Sequence, residues 1–202
     1  MPRTLSDSEI ADFRARLCDV AAALFVQRGP EAVTMRALAS ELGVSAMTPY
    51  RYFRDKDEIF AAIRAKAFNE FADALDKASA NVEDPEERSR ALSLAYLRFA
   101  LSRPFFYRMM FDVREGDAQP ELLEAAARAR QSMVAHMNGL VSGGCDAGYL
   151  GNLFWSAIHG VVMLKLSGVL DDSVTPADVS ADLFNAILAT HQGPAGMVKT
   201  PA

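Results

Sequence analysis

Apolar side chains recur every three or four positions over most of this chain, and nowhere do they alternate singly as a strand requires. Ile10, Phe13, Leu17, Val20, Ala21, Leu24 and Phe25 mark one face of a first helix. Ser6-x-x-Glu9 opens it with capping-box spacing, and Gly29-Pro30 stops it. Arg14 and Arg16 fall off the apolar face and read as solvated. Ile59, Phe60, Ile63, Ala67, Phe68, Phe71 and Leu75 give a long helix behind a second capping box, Asp55 to Glu58. Asp84-Pro85 starts another, which carries Leu92, Ala95, Tyr96, Phe99 and Ala100 as far as Pro104. The aromatic and methionine run 104–111 predicts one or two helical turns, followed by a polar loop over 112–120. The helical pattern resumes over 121–141, stopped by Gly143-Gly144, then over 146–169, and over 176–191 behind a Thr175 cap. Residues 192–202 are rich in Gly and Pro and read as a disordered tail.

Between the first two long helices lies the most informative stretch, residues 34–56. Leu38, Ala39 and Leu42 put an apolar stripe on a short helix opened by Thr34, and Gly43 supplies the positive φ of a sharp turn. Ser45 is then expected to cap a second short helix, with the small Ala39 letting it cross closely and Val44 and Phe53 filling the space between. Pro49 falls in the first turn of that helix, where a missing N–H is tolerated. The spacing is that of a helix-turn-helix. Ala46, Met47 and Thr48 are the residues such a helix presents to a groove, and Tyr50, Arg51, Tyr52, Arg54 and Lys56 follow as a basic, aromatic cluster suited to phosphates.

The totals adjust this picture only modestly. Half of the 202 residues are apolar and 23% are charged, an ordinary globular balance. The net charge of −5 is unevenly placed: residues 1–56 hold eight Lys/Arg against seven Asp/Glu, the remainder thirteen against nineteen. A local basic face near Arg51, Arg54 and Lys56 is therefore compatible with a nucleic-acid partner. The longest apolar run is far short of the ~20 residues that span a bilayer, and the N-terminus lacks a secretory signal pattern. Cys18 and Cys145 have no close partner in sequence and read as reduced thiols of a cytoplasmic protein. Three histidines, His136, His159 and His191, sit outside any cluster at metal-ligand spacing, so no metal or other cofactor is expected. No nucleophile elbow, phosphate loop or dinucleotide fingerprint is present, and an enzyme is not expected.

At Thr34, Leu38-Ala39, Gly43-Val44-Ser45, Tyr50-Arg51-Tyr52-Phe53 and Lys56 the chain resembles the TetR family of transcriptional repressors, departing from its pattern at Pro49. The resemblance implies an all-α fold of about nine helices, three in an N-terminal helix-turn-helix domain and the rest in a C-terminal bundle. The divisions expected are a DNA-binding domain over 1–54, a ligand-binding and dimerisation domain over 55–192, and the tail 193–202. Carried onto matching positions, Thr34 caps its helix and touches a phosphate, and Arg36 is placed with it. Ser45, Ala46, Met47 and Thr48 face base edges; Tyr50, Tyr52 and Lys56 hold phosphates; Arg51 meets a guanine or the backbone. The implied partners are a palindromic double-stranded operator, a second copy of the chain and a small, mostly apolar effector, without a membrane. A DNA-binding architectural or activator protein without an inducer is the alternative.

The second half carries a further resemblance, to the C-terminal domain type named for Trp-x-x-x-His-Gly. It rests on Phe154-Trp155-Ser-Ala-Ile-His159-Gly160 and Tyr107-Arg-Met-Met-Phe111. Trp155 and His159 share a helix face, and Gly160 is expected to admit a close neighbour. The candidate effector site collects Tyr96, Phe99, Phe106, Met109, Met110, Met137, Trp155, His159 and Met163, since methionine adapts to irregular space. An ordinary packed core explains the same residues equally well.

Overall fold

Eight α-helices and three short 3-10 segments make up the computed structural model, which describes residues 6–112, 119–137, 140 and 146–191. No strand occurs among them. The helices are α1 (Asp7–Arg28), α2 (Met35–Glu41), α3 (Lys56–Ser79), α4 (Pro85–Ser102), α5 (Pro104–Met110), α6 (Pro120–Val134), α7 (Ala147–Leu166) and α8 (Pro176–His191). The ninth expected helix, the second of the helix-turn-helix, is instead a 3-10 turn at Pro49–Arg51. Helix α6 is also shorter than expected. It ends at Val134 and passes into a 3-10 turn at Ala135–Met137. The polar loop, the Gly143-Gly144 stop, Cys145 and the expected tail fall largely or wholly outside the described residues.

Local chemistry sets most helix boundaries. Ser6 and Glu9 close a reciprocal capping box on α1. Thr34 caps α2 by accepting the Ala37 N–H at 3.1 Å. Asp84, Asp146 and Thr175 do the same for α4, α7 and α8. At the end of α2, Gly43 takes φ +66°, its N–H bonds the Ser40 carbonyl, and the Val44 N–H bonds the Ala39 carbonyl. That pair of bonds is a Schellman motif, which only a residue tolerant of positive φ closes without strain. The second capping box is altered. Asp55 accepts the Glu58 N–H, but the Glu58 carboxylate reaches past it to the Arg54 N–H at 2.7 Å.

The chain packs as two compact units, Met1–Phe68 with Arg108–Ala126, and Asn69–Tyr107 with Ala127–Ala202. Helices α3 and α6 each supply residues to both. In the first unit Leu17, Ala21, Leu38, Phe53, Ile59 and Phe60 are buried, and Phe25 meets Phe60 edge to face at 5.5 Å. The second unit buries Phe71, Tyr96, Tyr107, Phe154, Ile158 and Val162, with α8 packed on α4 and α7. Gly151 of α7 lies so close to α6 that a Cβ there would stand 2.9 Å from the Val134 Cα. Gly160, the glycine expected to admit a neighbour, has nothing within 4 Å of that position among the described residues. By length and composition α7 is apolar enough to cross a membrane, yet only 33% of that window is buried. Its outer side keeps Tyr149, Met163 and Leu164 exposed.

Candidate nucleic-acid interface and effector region

Between α2 and α3 the backbone runs through successive tight turns. The Thr48 N–H bonds the Ser45 carbonyl at 2.9 Å, Arg51 bonds Thr48, and Tyr52 and Phe53 both bond Pro49. Three of these four bonds span three residues, so the segment is 3-10-like rather than α. Pro49 explains the difference: without an N–H it cannot make the bond back to Ser45, and Thr48 takes that carbonyl instead. The Pro49 ring is buried while its neighbours point outward. Met47 is 69% exposed and Tyr50 51%, and Ser45, Ala46 and Arg51 are exposed as well.

The polar groups here have partners that the sequence did not indicate. Ser45 was expected to cap a helix through a backbone N–H; its hydroxyl instead lies 2.9 Å from that of Thr48. Thr48 itself is half-buried. Arg54 is held by its neighbour Asp55 at 2.8 Å, and the guanidinium keeps that carboxyl below the usual carboxylate range. Thr34 and Arg36 are exposed at the start of α2, and Lys56 is half-buried at the start of α3. Tyr52 is half-buried and stacks on Phe13 with ring centroids 4.4 Å apart.

Arg14 is the residue that sequence reasoning misplaced. It was read as solvated, yet its guanidinium lies 4.0 Å over the Phe53 ring, donates to the Tyr52 carbonyl and stands 3.8 Å from Glu58. One side chain of α1 thereby ties the outward-facing segment to the start of α3. Its i+3 and i+4 relation to Leu17 and Cys18, both buried, was the available signal. Cys18 is packed in the same helix, and burial pushes its thiol up to about 11, leaving it unreactive at neutral pH.

The expected effector residues divide between the two units. Met109 and Met110 are buried in the first. In the second, Tyr96, Phe99 and Met137 are buried, Phe106, Trp155 and His159 half-buried, and Met163 exposed. Phe71 joins this set, edge-on to Tyr96 at 5.0 Å and tilted against Phe99 at 5.2 Å. Polar atoms converge among these rings. The Tyr96 and Tyr107 hydroxyls lie 2.5 Å apart, and Tyr107 reaches Nδ1 of His159 at 2.7 Å. Burial raises both phenols well above their ordinary value and lowers His159 below 6.5. Tyr107 was not singled out as a site residue; only its place in the sequence resemblance marked it. Phe99 also borders a groove of about 660 Å³ with Glu70, Lys77, Arg98 and Arg103. A cleft of about 320 Å³ between α4 and α8 has Leu94, Leu97, Phe184 and Leu188 on its walls.

Residues 17–63 match the family of bacterial regulatory proteins, tetR family, and residues 89–191 match the tetracyclin repressor-like C-terminal domain. The chain belongs to the TetR family. It is 27% identical over 175 residues to an uncharacterized HTH-type transcriptional regulator of Mycobacterium tuberculosis, covering 84% of this chain and 79% of that protein. Among solved structures, a protein of unknown function from Rhodococcus sp. RHA1 superposes with a TM-score of 0.78 at 22% identity, covering 96% of this chain and all of that one. The TetR family transcriptional regulator PfmR from Thermus thermophilus gives 0.62 at 23% identity, covering 86% and 97%. This TetR-family chain is thus a transcriptional regulator with a DNA-binding helix-turn-helix. Between α2 and α3 of that motif stands a 3-10 turn at Pro49–Arg51 in place of a second short α-helix.

Proposed function

We propose that this regulator is a homodimeric repressor of the cytoplasm that binds a palindromic operator and leaves it when a small, mostly apolar effector binds. The carrying observation is the outward display of Ser45, Ala46, Met47, Tyr50 and Arg51 around a buried Pro49, within a helix-turn-helix of this family. Apolar tips such as Ala46 and Met47 suit thymine methyl groups, and Arg51 suits guanine or a phosphate. Ser45 and Thr48 read base edges by opening or sharing their mutual hydrogen bond. Thr34, Arg36, Tyr50, Tyr52 and Lys56 hold the backbone. Reading by residues 1–54 and control by 55–192 is the division of labour that follows.

Dimerisation is supported by the outer side of α7, where Tyr149, Met163 and Leu164 are exposed and Gly160 has open space. Two such helices can cross closely at the glycine, and α8 adds the half-buried Leu183 and Ile187. The effector reading rests on the aromatic cluster with its few convergent polar atoms at Tyr96, Tyr107 and His159. That cluster also supports the Trp-x-x-x-His-Gly assignment. Effector and operator must oppose one another by one and the same factor, typically about 5–150-fold. Selecting bound duplexes from a random pool tests the core of the proposal. A two-fold symmetric consensus supports it, and an asymmetric or absent consensus refutes it. Effect on transcription from that site then separates repression from activation.

A further inference from the structure

Ser45 and Thr48 are clasped to each other twice. The Thr48 N–H bonds the Ser45 carbonyl at 2.9 Å, and the two hydroxyls lie 2.9 Å apart. Ala46 and Met47 are therefore the central residues of a tight, doubly closed turn, with the buried Pro49 directly behind it. Both are exposed. Met47, at 69%, is the most exposed large apolar side chain among the described residues of the first unit. Met35, Met109, Met110, Met133 and Met137, by contrast, are all buried. The Met47 thioether spends little of its surface within the chain and is held out on a fixed turn.

The neighbouring side chains limit what such a turn can recognise. Base edges are read by bidentate or charged groups, from Arg, Lys, Asn, Gln, Asp or Glu, by single hydroxyls, or by apolar contact with the 5-methyl group of thymine. Residues 44–50, Val-Ser-Ala-Met-Thr-Pro-Tyr, contain none of those six. Of the two hydroxyl protons, one is engaged within the Ser45–Thr48 pair whichever residue donates it. Apolar contact is thus the strongest readout left to the tip of the turn. Met47 suits it, because an unbranched, polarizable side chain fits itself to a methyl group without a fixed geometry.

We propose that Met47 is a specificity-determining residue that reads the 5-methyl group of a pyrimidine in the major groove. This rests on the operator binding proposed above and deepens it. The half-site carries thymine under Met47, and 5-methylcytosine, which bears the same methyl group, is accepted there in preference to cytosine. Cytosine methylation at that position tightens binding.

The test starts from the consensus duplex that the full-length protein selects from a random pool. Each thymine of one half-site is replaced in turn by deoxyuridine, which removes the methyl group and keeps every hydrogen-bonding atom. At one or two thymines the expected loss is about fourfold, the value of one methyl group withdrawn from water. Met47→Ser, at an exposed position, should bring the thymine-to-uracil ratio there close to one, while Met47→Leu should retain it. At the same base pair, 5-methylcytosine opposite guanine should bind wild type about fourfold tighter than cytosine opposite guanine, and bind Met47→Ser no tighter. A consensus in which no thymine responds to uracil overturns methyl reading and leaves operator binding standing. A uracil response that survives Met47→Ser, or is lost in Met47→Leu, overturns the assignment to apolar contact by Met47. Equal binding of cytosine and 5-methylcytosine by wild type overturns the acceptance of the methylated base. A pool that yields no consensus removes the operator and this reading together.

Discussion

Gly151→Ala is a sensitive test of how α6 and α7 meet, because two effects of known sign compete in it. Replacing glycine by alanine inside a helix stabilises it by about 1 kcal/mol when the new methyl group has room. Here the methyl carbon would lie 2.9 Å from the Val134 Cα, 3.0 Å from its Cγ2 and 3.1 Å from its Cβ. Carbon atoms attract best near ~3.5–4.0 Å, so all three contacts are repulsive. The nearest is a backbone atom that no rotamer change can remove. Overpacking of this kind costs typically about 1–3 kcal/mol, and the helices must separate locally to relieve it. The net expectation is a loss of about 1 kcal/mol, or roughly 2–4 °C in Tm for a chain of this size. Thermal and urea unfolding should be compared at one protein concentration, since association raises apparent stability by mass action. Val134→Ala in the Gly151→Ala background should recover only part of the loss, because the Cα obstruction stays. A rise in Tm for Gly151→Ala would refute the close approach, and full recovery in the double variant would place the clash in the valine side chain alone.

Arg14→Leu removes the cation over Phe53 and the bond to the Tyr52 carbonyl, and should cost about 1–2 kcal/mol of stability. It should weaken operator binding without changing the slope of log affinity against log salt, and a reduced slope would instead put Arg14 on a phosphate. Lys56→Ala should flatten that slope by about one and weaken all sequences alike, whereas Thr48→Ala should change sequence preference by roughly 1–3 kcal/mol. Equal losses by Thr48→Ala on operator and random DNA would remove Thr48 from base reading. Burial lowers His159 below 6.5, so below that pH the unfolded chain takes up the proton more readily than the folded one. Stability from this group is therefore intact above about 6.5 and declines as pH falls through the lowered value, and His159→Asn should show a shallower decline in Tm between pH 7 and 5. Identical profiles would mean that His159 is not shielded. Gly160→Leu should yield monomers in sedimentation, and intact dimers would move the interface off that side of α7.

Helix positions were largely legible in the chain itself, because capping is local chemistry. Ser6 with Glu9, Thr34, Asp84, Asp146 and Thr175 each act within three residues of the helix they start, and Gly43 ends α2 through its own backbone. The family was legible for the same reason, since the Leu38-to-Lys56 stretch is one contiguous motif. What the sequence misjudged depended on competition between groups or on distant partners. Pro49 was correctly seen to lack one bond, but whether the turn stays α or tightens to 3-10 depends on which N–H claims the Ser45 carbonyl. Arg14 faces solvent by helical phase, and only the arrival of Phe53, Tyr52 and Glu58 gives its guanidinium a better place. Gly151 and Gly160 are alike in sequence; the packing of α6 crowds the first and leaves the second open among the described residues. Tyr107 lies 11 residues from Tyr96 and 52 from His159, and no periodicity relates these three, so their hydroxyl and imidazole atoms meet only because three helices are folded against one another. Short-range hydrogen bonding is written into neighbouring residues, while contact between distant ones is set by packing, where side chains compete for the same space and partners.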